Sequence, residues 1–134
     1  MRQHKDLGKW LVTLTLLVAL LTVVLPLGAS KVEASPATIY VPDDYSTIQA
    51  AVDAASPGDT IIVREGTYIE NVDVNKDHLT IQSENGAETT IVQAANSDDH
   101  VFEVTADYVN ISGFTVKGAS GPQNAGIFLH GSDS

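Results

Sequence analysis

Acidic side chains recur at a fixed interval in the second half of the chain. Asp73 and Glu103 stand thirty residues apart, and Asp77 and Asp107 are separated by the same interval. If that interval is one turn of a stacked coil, each pair lies on neighbouring strands about 4.8 Å apart, where carboxylates can raise a pKa or share a cation. Facing carboxylates also perform acid–base chemistry on sugar polymers, so Asp73 and Glu103 are candidate ligand contacts. The alternative is that these two are solvated and that each corner aspartate caps its own backbone.

A second acidic group consists of Asp98, Asp99 and His100. Carboxylates and an imidazole are ligands for calcium or a transition metal, so these three residues are the candidate metal ligands. Consecutive residues of a turn seldom converge on one ion without further ligands, and a polar corner explains the same pattern. His78 and His130 are isolated in the sequence. We therefore predict no catalytic residue and no cofactor, and calcium binding by the acidic groups stays open as an alternative.

A thirty-residue repeat indicates how these side chains are positioned. Residues 72–83 match residues 102–113, and a third copy begins at Gly126 after a shorter interval. Apolar residues coincide at Val72/Phe102, Val74/Val104, Leu79/Val109 and Ile81/Ile111. Short alternating strands that repeat with no helix between them predict a β-solenoid, with parallel pairing and apolar side chains in its bore. An antiparallel sandwich is the competing architecture, but the repeated internal corner favours the solenoid.

One amphipathic helix is predicted ahead of the repeat, over residues 45–55. Ser46 and Gln49 form a capping-box pattern, an apolar stripe follows, and Pro57-Gly58 ends the helix. We expect this helix to cover the open end of the coil, where strand edges and apolar interior would otherwise be exposed. The flanking elements are predicted strands at 38–41 and 60–63 and a corner at 66–68.

The first 34 residues are predicted to be an export signal, followed by a linker at 35–37 and the solenoid domain at 38–134. Basic residues precede an apolar run at 11–27, and cleavage before Ser35 is expected. The alternative is an uncleaved anchor, which would be the chain's only contact with the membrane. Residues 35–134 carry fifteen acids and three bases, a net charge of −12, which disfavours nucleic acid as a partner. Because no cysteine is present, the exported chain gains no disulfide stabilisation.

Residues 45–63 (YSTIQAAVDAASPGDTIIV), with GTY at 66–68, HLTI at 78–81 and TTIV at 89–92, resemble the opening turns of the pectin-lyase-like right-handed parallel β-helix superfamily. The resemblance covers nearly all of residues 38–131. It extends to pectin methylesterases and to NosD-like surface repeat proteins, and residues 107–118 and 125–133 are closer to the NosD-like pattern. It implies the fold specifically. It does not fix the function, because the same opening precedes esterases, lyases and non-catalytic repeats.

The resemblance implies a secreted or cell-surface scaffold associated with carbohydrate, periplasmic if the cell has an outer membrane. The alternative is the start of a pectin esterase or polysaccharide lyase. No segment matches the catalytic motifs of the esterases, so no catalytic residue is carried over. An adhesion module is a third class, with a polysaccharide or another envelope glycan as the expected partner. The repeat stops within a third copy, so we expect a truncated solenoid whose remaining turns lie beyond Ser134.

Overall fold

The structure is a computed structural model that describes residues 28, 30 and 32–131. It is a β-solenoid of about four turns built from parallel sheets, with one short helix in the described residues. Most of the predicted signal segment lies outside the described residues, so its cleavage stays a prediction. In the described part of the chain, no helix is long and apolar enough to span a bilayer.

Ten strands and one helix follow each other along the chain. They are β1 (Thr38–Val41), α1 (Ile48–Ala54), β2 (Thr60–Val63), β3 (Gly66–Ile69), β4 (Val72–Val74), β5 (Thr80–Ser83), β6 (Thr90–Gln93), β7 (Phe102–Val104), β8 (Asn110–Ser112), β9 (Thr115–Lys117) and β10 (Ile127–Leu129). Sheet A has the order β1-β2-β5-β8, sheet B the order β3-β6-β9, and sheet C the order β4-β7-β10. The chain visits the three sheets in turn, so each sheet gains one strand per lap.

The strand register confirms the repeat. Val72 pairs with Phe102, and Phe102 pairs in turn with Ile127. Ile81 pairs with Ile111 in sheet A. Every strand pair among the described residues is parallel, which excludes the antiparallel sandwich.

The bore of the solenoid is filled by apolar side chains from all three sheets. The largest fully buried members are Phe102, Ile48, Ile61, Leu79, Ile81, Val41, Val52, Val63, Val72, Val74, Val92 and Val101. Ile48 and Val52 come from the helix, and the members that lie in strands alternate with outward residues, as in β4, where Val72 and Val74 are buried and Asp73 between them is exposed. Burying such a side chain contributes roughly 1.5–3 kcal/mol, which is the main stabilising term in a chain without disulfides.

Two predicted boundaries were wrong. Residues 66–68 are part of strand β3, because the corner before it needs only two residues and Tyr68 then packs against the core. The helix begins at Ile48, with Thr47 as its N-cap: the Thr47 hydroxyl accepts from the Ala50 amide at 3.1 Å. Ser46 is not the cap, since the first two helical amides are taken by a distant carboxylate, that of Glu70, at 3.0 Å each.

The helix covers the first edge of sheet C, as predicted. The Gln49 side chain accepts from the Asp73 amide at 2.7 Å and donates to the Asp73 carbonyl at 3.2 Å, so it occupies the place of a neighbouring strand. The Lys76 ammonium binds the carbonyls of Asp53 and Ala55 at the other end of the helix. A cation at the carboxyl end and a carboxylate at the amino end both complement the helix dipole.

The first edge of sheet A is covered in a similar way. The Asp44 carboxylate accepts from the Tyr40 amide at 2.7 Å, and the Asp44 amide donates to the Tyr40 carbonyl at 2.8 Å. The backbone groups of Tyr40 on β1 and of Asp73 on β4, which would otherwise offer a template for another chain, are therefore already bonded.

We predict that Gln49→Met weakens this cover. Methionine keeps the helix propensity and length of the side chain but removes both bonds to Asp73, so the free energy of unfolding should fall by about 0.5–1.5 kcal/mol. Denaturant unfolding measures the fall, and size-exclusion chromatography should show association through the opened edge. Gln123→Met, at an exposed corner, is the control. Equal stability of Gln49→Met and the control would contradict the role given to Gln49.

Asp59 anchors the chain just before β2. Its carboxylate accepts from the amides of Ala37 and Ser56, both at 2.8 Å, and the residue is only 7% exposed. These two backbone hydrogen bonds lower the pKa of Asp59, against the opposing effect of burial. The carboxylate thereby fixes the entry of the chain into sheet A.

Asp59→Asn should reduce the free energy of unfolding by about 1–3 kcal/mol at pH 7. Because the pKa of Asp59 is lower in the folded than in the unfolded chain, this contribution is complete above pH about 4 and is lost as the pH falls through the folded-state pKa. The difference between wild type and Asp59→Asn should thus shrink toward pH 2, as measured by denaturant unfolding. Asp98→Asn, on an exposed corner, is the control. A difference that does not change with pH would contradict the assignment.

Candidate functional site

The outer face of sheet C carries a row of side chains from three successive laps. Asp73 pairs in register with Glu103, and Glu103 with Phe128. Their neighbours Val72 and Val74 are buried, so this row points to solvent. The predicted lateral placement of the two carboxylates is therefore present in the structure.

Glu103 is bonded to an imidazole from the next lap. Its Oε1 lies 2.7 Å from His130 Nε2, and both side chains are partly exposed. An ionised Glu103 can only accept, so with an ionised carboxylate His130 donates from Nε2. His130 is therefore not isolated, contrary to the sequence analysis: the twenty-seven-residue separation crosses one lap and hides the pair in the sequence. An imidazole held on a carboxylate can move a proton, provided that a substrate lies within reach.

His100, Phe128 and His130 form an aromatic cluster beside this pair. His100 and Phe128 are stacked with ring centroids 4.3 Å apart and planes at 7°, and His130 meets Phe128 edge-on at 4.9 Å. His100 Nδ1 accepts from the Ala125 amide at 3.0 Å, which places a neutral ring's proton on Nε2. The cluster gives the outer face an apolar area next to charged groups.

Asn71 holds the loop that presents His100. Its side-chain nitrogen donates to the carbonyls of Asn96 and His100 at 3.1 and 2.7 Å, and its oxygen accepts from the Asn96 amide at 2.7 Å. One amide side chain at the start of β4 therefore anchors the loop between β6 and β7 on the next lap. The position of the aromatic cluster depends on this anchor.

The candidate metal ligands do not converge. The Asp99 carboxylate accepts from the His100 amide at 2.8 Å, and the Asp98 amide donates to the Asn96 side chain at 3.0 Å. His100 Nδ1 is occupied by its bond to Ala125. Among the residues that the structure describes, no three His, Cys, Asp or Glu side chains are grouped so as to hold a metal ion.

The corner after sheet C joins the other pair of aspartates. The Asp107 amide donates to Asp77 Oδ1 at 3.0 Å, so Asp77 caps the backbone of the following lap. The next residues, His78 and Tyr108, stack with centroids 4.7 Å apart and planes at 22°. Both have left-handed backbones, with φ of 59° and 57°. Sequence reasoning missed this aromatic pair and treated His78 as isolated, although the thirty-residue interval already placed the two together.

Among the described residues, a cavity of about 330 Å³ at the fourth lap is lined by Val104, Val109, Asn110, Ile111, Ile127 and Leu129. Leu129 is 68% exposed there. Strands β8, β9 and β10 are the last of their sheets in the described residues.

Comparison with known proteins finds similarity to a curated cell surface glycoprotein. The chain is 32% identical over 104 residues to a cell surface glycoprotein of Methanothermus fervidus, and the match covers 76% of this chain and 17% of that glycoprotein. The chain thus spans about a sixth of the length of this relative. No protein-family model matches the chain, and no solved structure matches it. The similarity indicates a location at the cell surface or outside the cell.

Asn71→Ala should release the loop before β7. The three lost hydrogen bonds leave the Asn96 amide open to solvent, so its hydrogen exchange should accelerate by at least about tenfold, with a loss of stability of about 1–3 kcal/mol. Exchange measured by NMR tests this, with Asn75→Ala at an exposed corner as the control. Unchanged exchange at Asn96 in Asn71→Ala would show that the loop is held in some other way.

Proposed function

We propose that this chain is an exported, non-catalytic scaffold of the pectin-lyase-like right-handed β-helix class that holds carbohydrate of the cell envelope on the outer face of sheet C. The similarity to a cell surface glycoprotein supports a location at the cell surface or outside the cell. The β-solenoid supports the scaffold role, because it presents a regular outer surface on which rows of side chains repeat from lap to lap.

The outer face of sheet C suits a polysaccharide chain. Glu103, His130 and Asp73 offer hydrogen-bonding groups for hydroxyls, and the ring of Phe128 adds an apolar area beside them. Sugar rings present hydroxyls at their rims and apolar C–H groups on their faces, so they match a surface of this mixed character. The strands hold these groups at fixed spacing, which reduces the ordering cost of binding.

The hydrogen bonding of Glu103 and the position of Asp73 favour the scaffold over a sugar-cleaving enzyme. Glycoside hydrolysis uses two carboxyl groups that flank the scissile bond, one of them free to act as acid and the other as base or nucleophile. Here Glu103 is bonded to His130, and Asp73 lies beside it in the same outward row. The alternative, the first part of a carbohydrate esterase or lyase, is supported by the resemblance of residues 45–63 to the opening turns of pectin methylesterases.

Binding to isolated envelopes tests the proposal. The full exported chain should co-sediment with cell walls of the organism that makes it, and the double variant Asp73→Asn/Glu103→Gln should co-sediment at least about tenfold less, since both groups face the ligand. Glu88→Gln, at a corner between sheets A and B, is the control. Calcium and a chelator form parallel arms, so that dependence on a cation is also measured.

The same samples separate scaffold from enzyme. We expect no release of reducing ends, methanol, acetate or unsaturated uronates from pectin and from the isolated walls. Turnover that disappears in the double variant would establish the enzyme alternative, and co-sedimentation equal in all variants would remove sheet C as the binding face.

A further inference from the structure

We propose that the corner formed by His78 and Tyr108 is an aromatic platform that stacks on the ring of a neutral sugar. This inference rests on the proposed association with carbohydrate, and it names the class of sugar and a second contact next to sheet C. Two observations carry it: an exposed stack of rings, and a left-handed backbone beneath both of them.

The left-handed backbone is required by the corner itself. Gly58 occupies the equivalent place in the preceding lap, with φ of 96°, and its amide donates to the His78 carbonyl at 3.1 Å. The His78 amide donates to the Asp107 carbonyl on the following lap at 2.9 Å. Glycine adopts this conformation without steric penalty, whereas histidine and tyrosine adopt it at a penalty. The two later laps therefore carry rings where the geometry favours glycine.

Burial does not compensate for that penalty. Tyr108 is 80% exposed, and the stack on His78 covers only one face of its ring. Strained backbone conformations are concentrated at functional sites, so strain beneath an exposed side chain that packing does not explain indicates a functional role for that side chain. The parallel register holds the Tyr108 ring at the spacing of the strands, so the phenol is oriented before any ligand arrives.

The groups around the platform select a neutral sugar. An aromatic face with a polar tip suits the C–H face of a pyranose, and the exposed carboxylates of Asp77 and Asp107, next to the two rings in the chain, can accept hydroxyl hydrogens. Both corner residues are anionic, and residues 35–134 carry a net charge of −12, so a uronate is repelled from this corner. The ligand class is therefore a chain of uncharged hexoses or N-acetylhexosamines, and polygalacturonate is excluded.

NMR titration of the full chain with neutral hexasaccharides of glucose, mannose, galactose and N-acetylglucosamine tests the platform, with hexagalacturonate as the charged comparator. We expect at least one neutral probe to shift the amides of His78, Asp107 and Tyr108, and the C–H protons of that sugar to move upfield in the ring current of Tyr108. Hexagalacturonate should leave them unchanged. The absence of such shifts for all neutral probes at millimolar concentration overturns the platform.

Tyr108→Gly separates binding from structure, because it restores the residue type of Gly58 at the same left-handed position. We expect stability equal to or higher than wild type and binding of the neutral probe at least about tenfold weaker. Tyr45→Asn, at another partly exposed tyrosine, is the control and should bind as wild type. Destabilisation by Tyr108→Gly with unchanged binding would mean that the stack is structural only.

The proposed function and the platform can fail separately. If wild type and Tyr108→Gly co-sediment equally with envelopes and bind the probe equally, the platform is refuted and the scaffold role stands. If wild type does not co-sediment but the probe shifts Tyr108, the envelope role is refuted and the platform stands.

Discussion

The parallel pairing of each lap with the next is the constraint on which the whole molecule depends. A strand of three or four residues contributes few hydrogen bonds, and each of β1 to β10 is that short, so none is stable without a neighbour in register. The register also decides which side chains meet: it buries Val72 beneath Phe102 and places Asp73 beside Glu103. Core and outer face thus follow from one spatial repeat, and a one-residue slip would exchange them.

The beginning of such a stack needs a partner that is not a strand. Here side chains take that role. Gln49 makes the hydrogen bonds to the Asp73 backbone that a neighbouring strand would make. Glu70 and Lys76 bind the two ends of the helix that contains Gln49. Asp44 likewise bonds to the backbone of β1. These contacts on β1 and β4 limit pairing with foreign chains, which matters for a chain that has no disulfide to restrict its opening.

The sequence predicted the solenoid, the helix and the lateral pairs because these depend on local alternation and on one constant interval. Val72 and Phe102, and likewise Ile81 and Ile111, were aligned correctly for that reason. The start of the helix was missed because Glu70, twenty-two residues away, supplies the first caps. The Glu103–His130 bond was missed because the fourth lap has a different length, so the thirty-residue interval no longer applied. The loop anchored by Asn71 depends on a contact across laps that no local pattern shows.

The corners of the solenoid differ in how much variation they permit. Between sheets C and A the linking segments are 75–79 and 105–109, five residues each time. Between sheets B and C they are 70–71, 94–101 and 118–126, so the chain already accommodates two, eight or nine residues at one place in the fold. The corner between sheets C and A therefore keeps a constant length, whereas the corner between sheets B and C accommodates loops of different length. Peptide segments inserted at that second corner would alter what the surface displays and leave the strand register undisturbed.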